Sequence, residues 1–270
     1  MDKGGEMENL KIIDIHSHIF PEKIAEKAVA AIGRFYDYPM LGSGTITDLL
    51  ESGAKAGISK YVVHSTATKS SQVPIINDFI AEAQALNNCL VGFGTLHPDI
   101  EDFDSEVDRI LSLGLKGIKL HPDFQGFNID DNEMMPIYQA AQGKLPILMH
   151  MGDATRTNSH PKRLLKLLDA FPNLIVIAAH LGGYMMWDES LAYLVGKNVY
   201  FDTSSSLFKL STKEALKIIR KHGVEKVLFG CDYPMWSHEY ELEKFKSLNL
   251  TEQEQNLILS ENACKLLDLK

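Results

Sequence analysis

Seven of the ten histidines end or follow short apolar, β-branched runs of the kind that form buried strands. They are His16, His18, His64, His97, His121, His150 and His180. Asp232 ends another such run, VLFGCD. Imidazole and carboxylate ligands suit zinc, manganese or iron, and the three cysteines form no C-x-x-C pair that would bind zinc through thiolates. The residue types therefore predict a divalent metal site with nitrogen and oxygen ligands.

The His16 and His18 pair carries the most specific metal-binding pattern. Residues two apart on a strand point to the same face, and Ile12 and Asp14 are predicted to share it. Because this H-x-H ends the first apolar run and a helix follows from Pro21, both imidazoles are expected to converge on one ion beyond the strand's end.

The elements that must position these residues recur along the chain. Strand-like runs occupy 11–20, 60–66, 90–98, 116–122, 146–152, 174–183, 199–206 and 227–234. Eightfold alternation of strands with helices predicts an α/β fold, a single-domain (β/α)8 TIM barrel over residues 10–270, with extra helices at the C-terminus. Residues 1–9 are predicted to form a flexible N-terminal arm. A doubly wound open sheet has the same alternation and remains an alternative.

Helical patterns separate the strand-like runs. One opens at Thr47 with capping chemistry and stops at Gly57, and a terminal helix begins at Thr251 with Glu254 three residues on. The others cover 73–86, 104–114, 134–143, 160–171, 189–196 and 212–223. The longest stretch predicted to lack helix, 34–44, is expected to lie over the mouth of the barrel.

The composition excludes several classes of function. The net charge of −9 disfavours nucleic acid and anionic membranes as partners. The apolar run 174–179 is far too short to span a bilayer. Cys89, Cys231 and Cys264 are odd in number and far apart, which fits a reducing, cytoplasmic location. The oligomeric state stays open, a homodimer included.

The motifs together resemble a known family. DIHSHIFP, GIKLHPDFQGF, ILMHMGD, FPNLIVIAAHLGG, VYFDTSS and LFGCDYPMW occur in the order seen in the amidohydrolase superfamily, in its amidohydrolase-related family of aminocarboxymuconate-semialdehyde decarboxylase-like enzymes. The resemblance implies a barrel whose metal is bound by His16, His18, His150 and Asp232. It also implies that His180 works beside the metal.

This ligand set leads to an expected function. One divalent ion, zinc first and manganese second, would serve a metal-dependent hydrolase of a small carbonyl compound, an amide, ester or lactone. Asp232 would act as the catalytic base, and His180 would orient water or stabilise the oxyanion. A non-oxidative decarboxylase on the same site is the alternative. A binuclear site with carboxylated Lys119, His150 and His180 is a further alternative. A binding protein descended from such an enzyme is disfavoured by the complete ligand set.

The substrate is predicted only as a class. A small molecule bearing a carboxylate fits the cationic and imidazole groups expected around the metal, with one aromatic side chain as a wall. These residues are Lys119, His121, His64, His97, Arg156 and Trp187.

Overall fold

The computed structural model describes residues 11–269, so the predicted arm over residues 1–9 lies outside the described residues. Eight parallel strands each pair with the next one along the chain, in the order β1 to β8. Their bounds are Ile12–His18, Ile58–His64, Leu90–Thr95, Gly117–Leu120, Ile147–Met149, Val176–Ala178, Tyr200–Asp202 and Val227–Leu228. Over residues 11–269, no helix combines the length and apolar character needed to cross a membrane.

The first and last strands meet. Ser17 forms a parallel bridge with Tyr233, and the His18 amide donates to the Tyr233 carbonyl at 2.7 Å. The Ile15 amide donates to the Phe229 carbonyl at 2.9 Å. These bonds join the β8 segment to β1, so the eightfold alternation forms a barrel rather than an open sheet. The predicted single-domain (β/α)8 barrel is confirmed.

Helices fill the connections, and seven of the predicted ones agree with the structure to within three residues at each end. Helices α1 to α12 span Glu22–Tyr36, Ile46–Ala56, Val73–Leu86, Phe103–Ser112, Pro122–Gln125, Met135–Ala141, Pro161–Ala170, Trp187–Tyr193, Thr212–His222, His238–Lys246, Glu252–Asn256 and Asn262–Leu267. The predicted C-terminal helices are α10 to α12, and Thr251 and Glu254 form a capping box at the start of α11.

Two predictions near the N-terminus are wrong in detail. Helix α2 is capped by Thr45, not Thr47, because the Thr45 hydroxyl is the one that accepts from the Asp48 amide. The stretch 34–44 is not free of helix, because α1 continues to Tyr36 and ends where Asp37 adopts a left-handed conformation with φ 50°. The end of α1 therefore reaches the barrel mouth, and the loop after it also lies there, since the Leu41 and Gly42 amides each donate to the Pro234 carbonyl at 2.9 Å.

The barrel interior has its own apolar cluster, separate from the layer beneath the helices. Ile13 and Ile15 of β1 belong to the interior cluster, and Ala263 and Leu267 of α12 join it. Ile12 belongs to the outer cluster that packs against the helices. Strand β1 thus buries both faces, as its apolar sequence indicates.

A bulge in β1 changes the face on which its polar residues lie. The pairing of β1 with β2 shifts register between Asp14 and Ser17. The prediction that Ile12 and Asp14 share the face of His16 and His18 is wrong for this reason. Asp14 lies on the outer side, where its carboxylate accepts from His238 Nε2 of α10 at 3.1 Å. It also accepts from the His16 amide and the Cys231 amide, each at 2.9 Å.

Glu241 of α10 should make stability depend on pH. It is fully buried, and neither carboxylate oxygen has a hydrogen-bond partner within residues 11–269. Burial, reinforced by the charges of Asp232 and Asp14, raises the pKa of Glu241 well above its usual value. The folded state then holds a proton that the unfolded state releases above pH 4.5. Between that value and the raised folded-state pKa, the contribution of Glu241 to the free energy of unfolding should fall by about 1.4 kcal/mol per pH unit.

We expect Glu241→Gln to match the wild type at pH 5 and to exceed its stability at pH 8, because the amide stays neutral. Urea unfolding at several pH values measures this slope. Glu239→Gln, at an exposed position on the same helix, should keep the wild-type slope. An unchanged slope in Glu241→Gln would show that the Glu241 carboxylate is ionised in the fold.

Candidate metal centre

A closed cavity of about 20 Å³ lies at the C-terminal mouth of the barrel. That is room for about one water molecule, which needs roughly 10–15 Å³ of such space. Four of the predicted site residues line it together with side chains from α1 and the last strand's loop. The lining residues are His18, Ile32, Tyr36, His121, Phe124, His150, Asp232, Pro234 and Met235. Predicted ligands from the ends of the first, fifth and eighth strands, His18, His150 and Asp232, therefore line the same cavity.

His16, His18 and Asp232 form the first part of the centre. The Nε2 atoms of His16 and His18 lie 3.4 and 3.5 Å from Asp232 Oδ1. His16 Nδ1 lies 2.9 Å from Asp202 Oδ2, and because a carboxylate only accepts, the His16 proton is on Nδ1. The lone pair of His16 Nε2 therefore faces a carboxylate oxygen. A cation near these two acceptors removes their repulsion, as Lys119 Nζ, 3.0 Å from His16 Nε2, does in this structure. Two imidazole nitrogens and a carboxylate oxygen are also a donor set that fits a divalent metal ion.

His150 and His180 repeat this arrangement on the neighbouring strand ends. His150 Nε2 donates to the Gly152 carbonyl at 2.8 Å, and His180 Nδ1 donates to the Ser204 carbonyl at 3.0 Å. The tautomers follow because carbonyls accept only. His150 Nδ1 and His180 Nε2 consequently turn their lone pairs to each other at 3.0 Å. This second pair of facing acceptors also fits a bound cation.

The protonation states suit metal binding. Burial raises the pKa of Asp232, but the charge of His16 and the hydrogen bond with His18 outweigh it and hold that pKa well below the usual value. Burial lowers the pKa of His18 and of His180 to about 4. At neutral pH His18 and His180 are therefore neutral and Asp232 is ionised, which are the forms that ligate metals.

Lys119 of β4 lies among the histidines and carboxylates of the barrel mouth, here called the cluster, and is fully buried. Its Nζ is 3.0 Å from His16 Nε2. Burial lowers the pKa of Lys119 to about 8, although Asp232 and Asp202 favour its charged form. The ammonium is therefore easier to deprotonate than that of an exposed lysine.

The backbone is held in an unusual conformation where it carries these residues. His180, Leu181, Ser205 and Asp232 have φ values of 61°, 50°, 46° and 64°. Non-glycine residues in this region store strain of roughly 1–3 kcal/mol each, and such strain clusters at functional sites. At Asp232 and His180 it fixes the direction in which each side chain leaves the barrel rim.

The other predicted substrate residues divide into two groups. Lys119, His121 and His64 belong to the cluster. His97, Arg156 and Trp187 do not line the cavity, and their contacts with substrate stay a prediction. His97 Nδ1 accepts from the Asp99 amide, the Arg156 guanidinium stacks 4.1 Å from the Phe35 ring centroid, and Trp187 Nε1 donates to the His180 carbonyl at 3.0 Å.

Sequence reasoning missed two residues of the site. Asp202 ends β7, orients His16, and accepts from the His180 amide at 2.9 Å. Its place at the end of the run VYFD was a usable signal. Tyr36 reaches the cavity from α1, and its hydroxyl lies 2.9 Å from His121 Nε2. No motif marks Tyr36; only its spacing of four residues from Ile32 places it on the same helix face.

A larger cavity, of about 820 Å³, lies elsewhere. It runs along the side of α1 and the segment that follows it, and no predicted site residue lines it. The imidazoles and carboxylates that could do chemistry are therefore at the small, closed cavity.

The chain belongs to the amidohydrolase family, whose model matches residues 13–269. This is the family that the sequence motifs resemble. No curated protein matches the chain significantly.

Solved structures show the same fold at low sequence identity. A 5-carboxyvanillate decarboxylase from Sphingomonas paucimobilis is 18% identical, with a TM-score of 0.75 over 97% of this chain and 100% of that one. A dihydroxybenzoic acid decarboxylase from Polaromonas sp. JS666, with bound manganese and the inhibitor 2-nitroresorcinol, is 18% identical. Its TM-score is 0.74 over 96% of this chain and 97% of that one. A Pseudomonas putida protein assigned as a 2-pyrone-4,6-dicarboxylic acid hydrolase is 19% identical, with a TM-score of 0.70 over 97% and 98%.

Proposed function

We propose that the protein is a metal-dependent hydrolase of a small carbonyl compound that bears a carboxylate. One divalent ion, zinc or manganese, would be held by His16, His18, His150 and Asp232. The supporting observation is the convergence at the barrel mouth of His16 Nε2 and His18 Nε2 on Asp232 Oδ1, at 3.4 and 3.5 Å. The three cysteines are free thiols, which supports a cytoplasmic location.

The ion, when bound, supplies Lewis acidity and lowers the pKa of water from ~15.7 toward ~7. Asp232 is ionised, so it can accept the proton of the attacking water and return it to the leaving group. His180 Nε2 carries a lone pair beside the same space and can hold the water in line with the carbonyl. Asp202 keeps the His16 ring in the orientation that presents Nε2.

The cationic and donor groups at the mouth suit a carboxylate on the substrate. Lys119 is the buried amine of the cluster. His121 Nδ1 accepts from the Phe124 amide, so its Nε2 proton is donated to the Tyr36 oxygen. The Tyr36 hydroxyl proton is then available to a substrate oxygen. Because the cavity holds about 20 Å³, lining side chains must move before a substrate binds.

Non-oxidative decarboxylation is the second candidate, and one observation favours it. The structural neighbours from Sphingomonas and Polaromonas are decarboxylases of aromatic acids. In this reaction the carbon–carboxylate bond would break, CO2 would leave, and the bonding electrons left on the carbon would take one proton from solvent. A water molecule hydrogen-bonded to His180 and Asp232 would deliver that proton.

One experiment separates the two reactions. Metal-loaded protein is incubated in ¹⁸O-labelled water with 2-pyrone-4,6-dicarboxylate or 5-carboxyvanillate. Hydrolysis should place one ¹⁸O atom in the product without release of CO2. Decarboxylation should release CO2 and, in heavy water, place one deuteron on the product carbon. Turnover that survives removal of the ion by a chelator would contradict both proposals.

A further inference from the structure

His64 is a buried histidine whose ring makes no hydrogen bond within the described part of the chain. It ends β2, beside His18 in the β1–β2 register, and it is fully buried. Neither ring nitrogen has a hydrogen-bond partner within residues 11–269. By contrast, His222 is bonded on both nitrogens, accepting from the Gly196 amide at 3.2 Å and donating to the Val199 carbonyl at 2.9 Å.

The unpartnered ring lies against the predicted metal ligands. Its centroid is 4.4 Å from that of His18 and 5.1 Å from that of His16. One nitrogen from each of the three rings lies within 4.8 Å of the others. Metal–imidazole bonds of about 2.0–2.1 Å place two ligands of one ion no more than ~4.2 Å apart, so small ring rotations bring all three onto one ion.

A buried polar group without a partner costs roughly 1–3 kcal/mol. Such a group calls for a specific explanation, and an ion that accepts its lone pair is one. An apolar side chain at this position would have avoided the cost altogether. The chain keeps an imidazole there, directed at two other imidazoles.

We propose that His64 is a further ligand of the ion held by His16 and His18. This inference rests on the proposed metal centre. Together with His150 and Asp232 it completes a set that leaves one position of an octahedron open for water or substrate. Octahedral coordination suits manganese, whereas catalytic zinc is usually held by fewer protein ligands.

His64→Leu tests the proposal on the full chain with Mn²⁺ as the probe. Without metal, its unfolding midpoint should equal or exceed that of the wild type, because two unpartnered nitrogens are removed. Its Mn²⁺ affinity, measured by competition with a chelator, should fall by about 100-fold or more, since even loss of an outer-shell partner costs 10–100-fold. His222→Leu, the matched control, should show a lowered midpoint and unchanged Mn²⁺ affinity.

His64→Gln guards against a failure of the leucine variant to fold, since its amide oxygen can occupy the same space as a weaker ligand. It should bind Mn²⁺ with intermediate affinity. Nitrogen couplings in the Mn²⁺ electron-spin resonance should lose one imidazole in both variants. Wild-type affinity with unchanged couplings in the variants would overturn the role of His64 alone. Wild-type protein that binds no divalent metal would overturn the proposed function itself.

Discussion

Replacing His180 with asparagine is expected to lower turnover by roughly two to four powers of ten and to leave the metal content nearly intact. That loss is the usual scale for removing a positioned acid–base or oxyanion group. The proposed ligands His16, His18, His150 and Asp232 all remain in this variant. His180 Nε2 lies 3.0 Å from His150 Nδ1. Its removal would take away a contact with water and substrate but no proposed metal ligand.

Asparagine is the appropriate replacement because His180 has a φ of 61°. Asparagine tolerates this left-handed region better than alanine does, so the backbone of the rim should keep its course. His160→Asn serves as control, since His160 caps α7 away from the cavity and asparagine is also a good cap. Metal content and turnover are measured on the same preparations.

Two outcomes would contradict the assignment of His180. Metal lost in proportion to activity would make His180 a ligand, which the short distance to His150 also permits. Full activity with metal retained would place the reacting atoms elsewhere along the rim.

The order of strands and the converging histidines could be predicted because both depend on local pattern. Apolar runs such as 146–152 mark strands that are buried on both faces, and a parallel barrel gathers the ends of all its strands at one rim. His150 and Asp232 therefore line one cavity although they are far apart in the sequence. Nothing beyond periodicity and the fold rule was needed for that step.

The remaining features arise from contacts between distant segments. The bulge near Asp14 depends on the paired strand β2 and on His238 of α10. Tyr36 is placed over the mouth because α1 runs on to that residue, and no pattern within α1 shows what its end covers. Likewise Asp202 gains its role only by meeting His16 across the barrel. A single sequence carries no direct record of such pairings.

Replacing Asp232 with asparagine should have the largest effect of any substitution in the centre. It removes the single carboxylate among the proposed ligands and the proposed base at once. We expect metal affinity to fall by at least ~100-fold, and turnover by about four powers of ten or more. The φ of 64° at Asp232 suits asparagine, so the barrel rim should keep its shape and circular dichroism should be unchanged.

Asp202→Asn is the matched control, because it also neutralises a buried carboxylate that contacts His16. Asp202 acts through the ring it orients, so its loss should cost only 10–100-fold in metal affinity. The comparison separates a ligand from an orienting residue, since the same charge is removed in both variants. Wild-type metal affinity in Asp232→Asn, with the weaker binding found only in Asp202→Asn, would contradict the ligand role of Asp232. The ion would then be held by imidazoles alone, and the proton acceptor for hydrolysis would have to be His180.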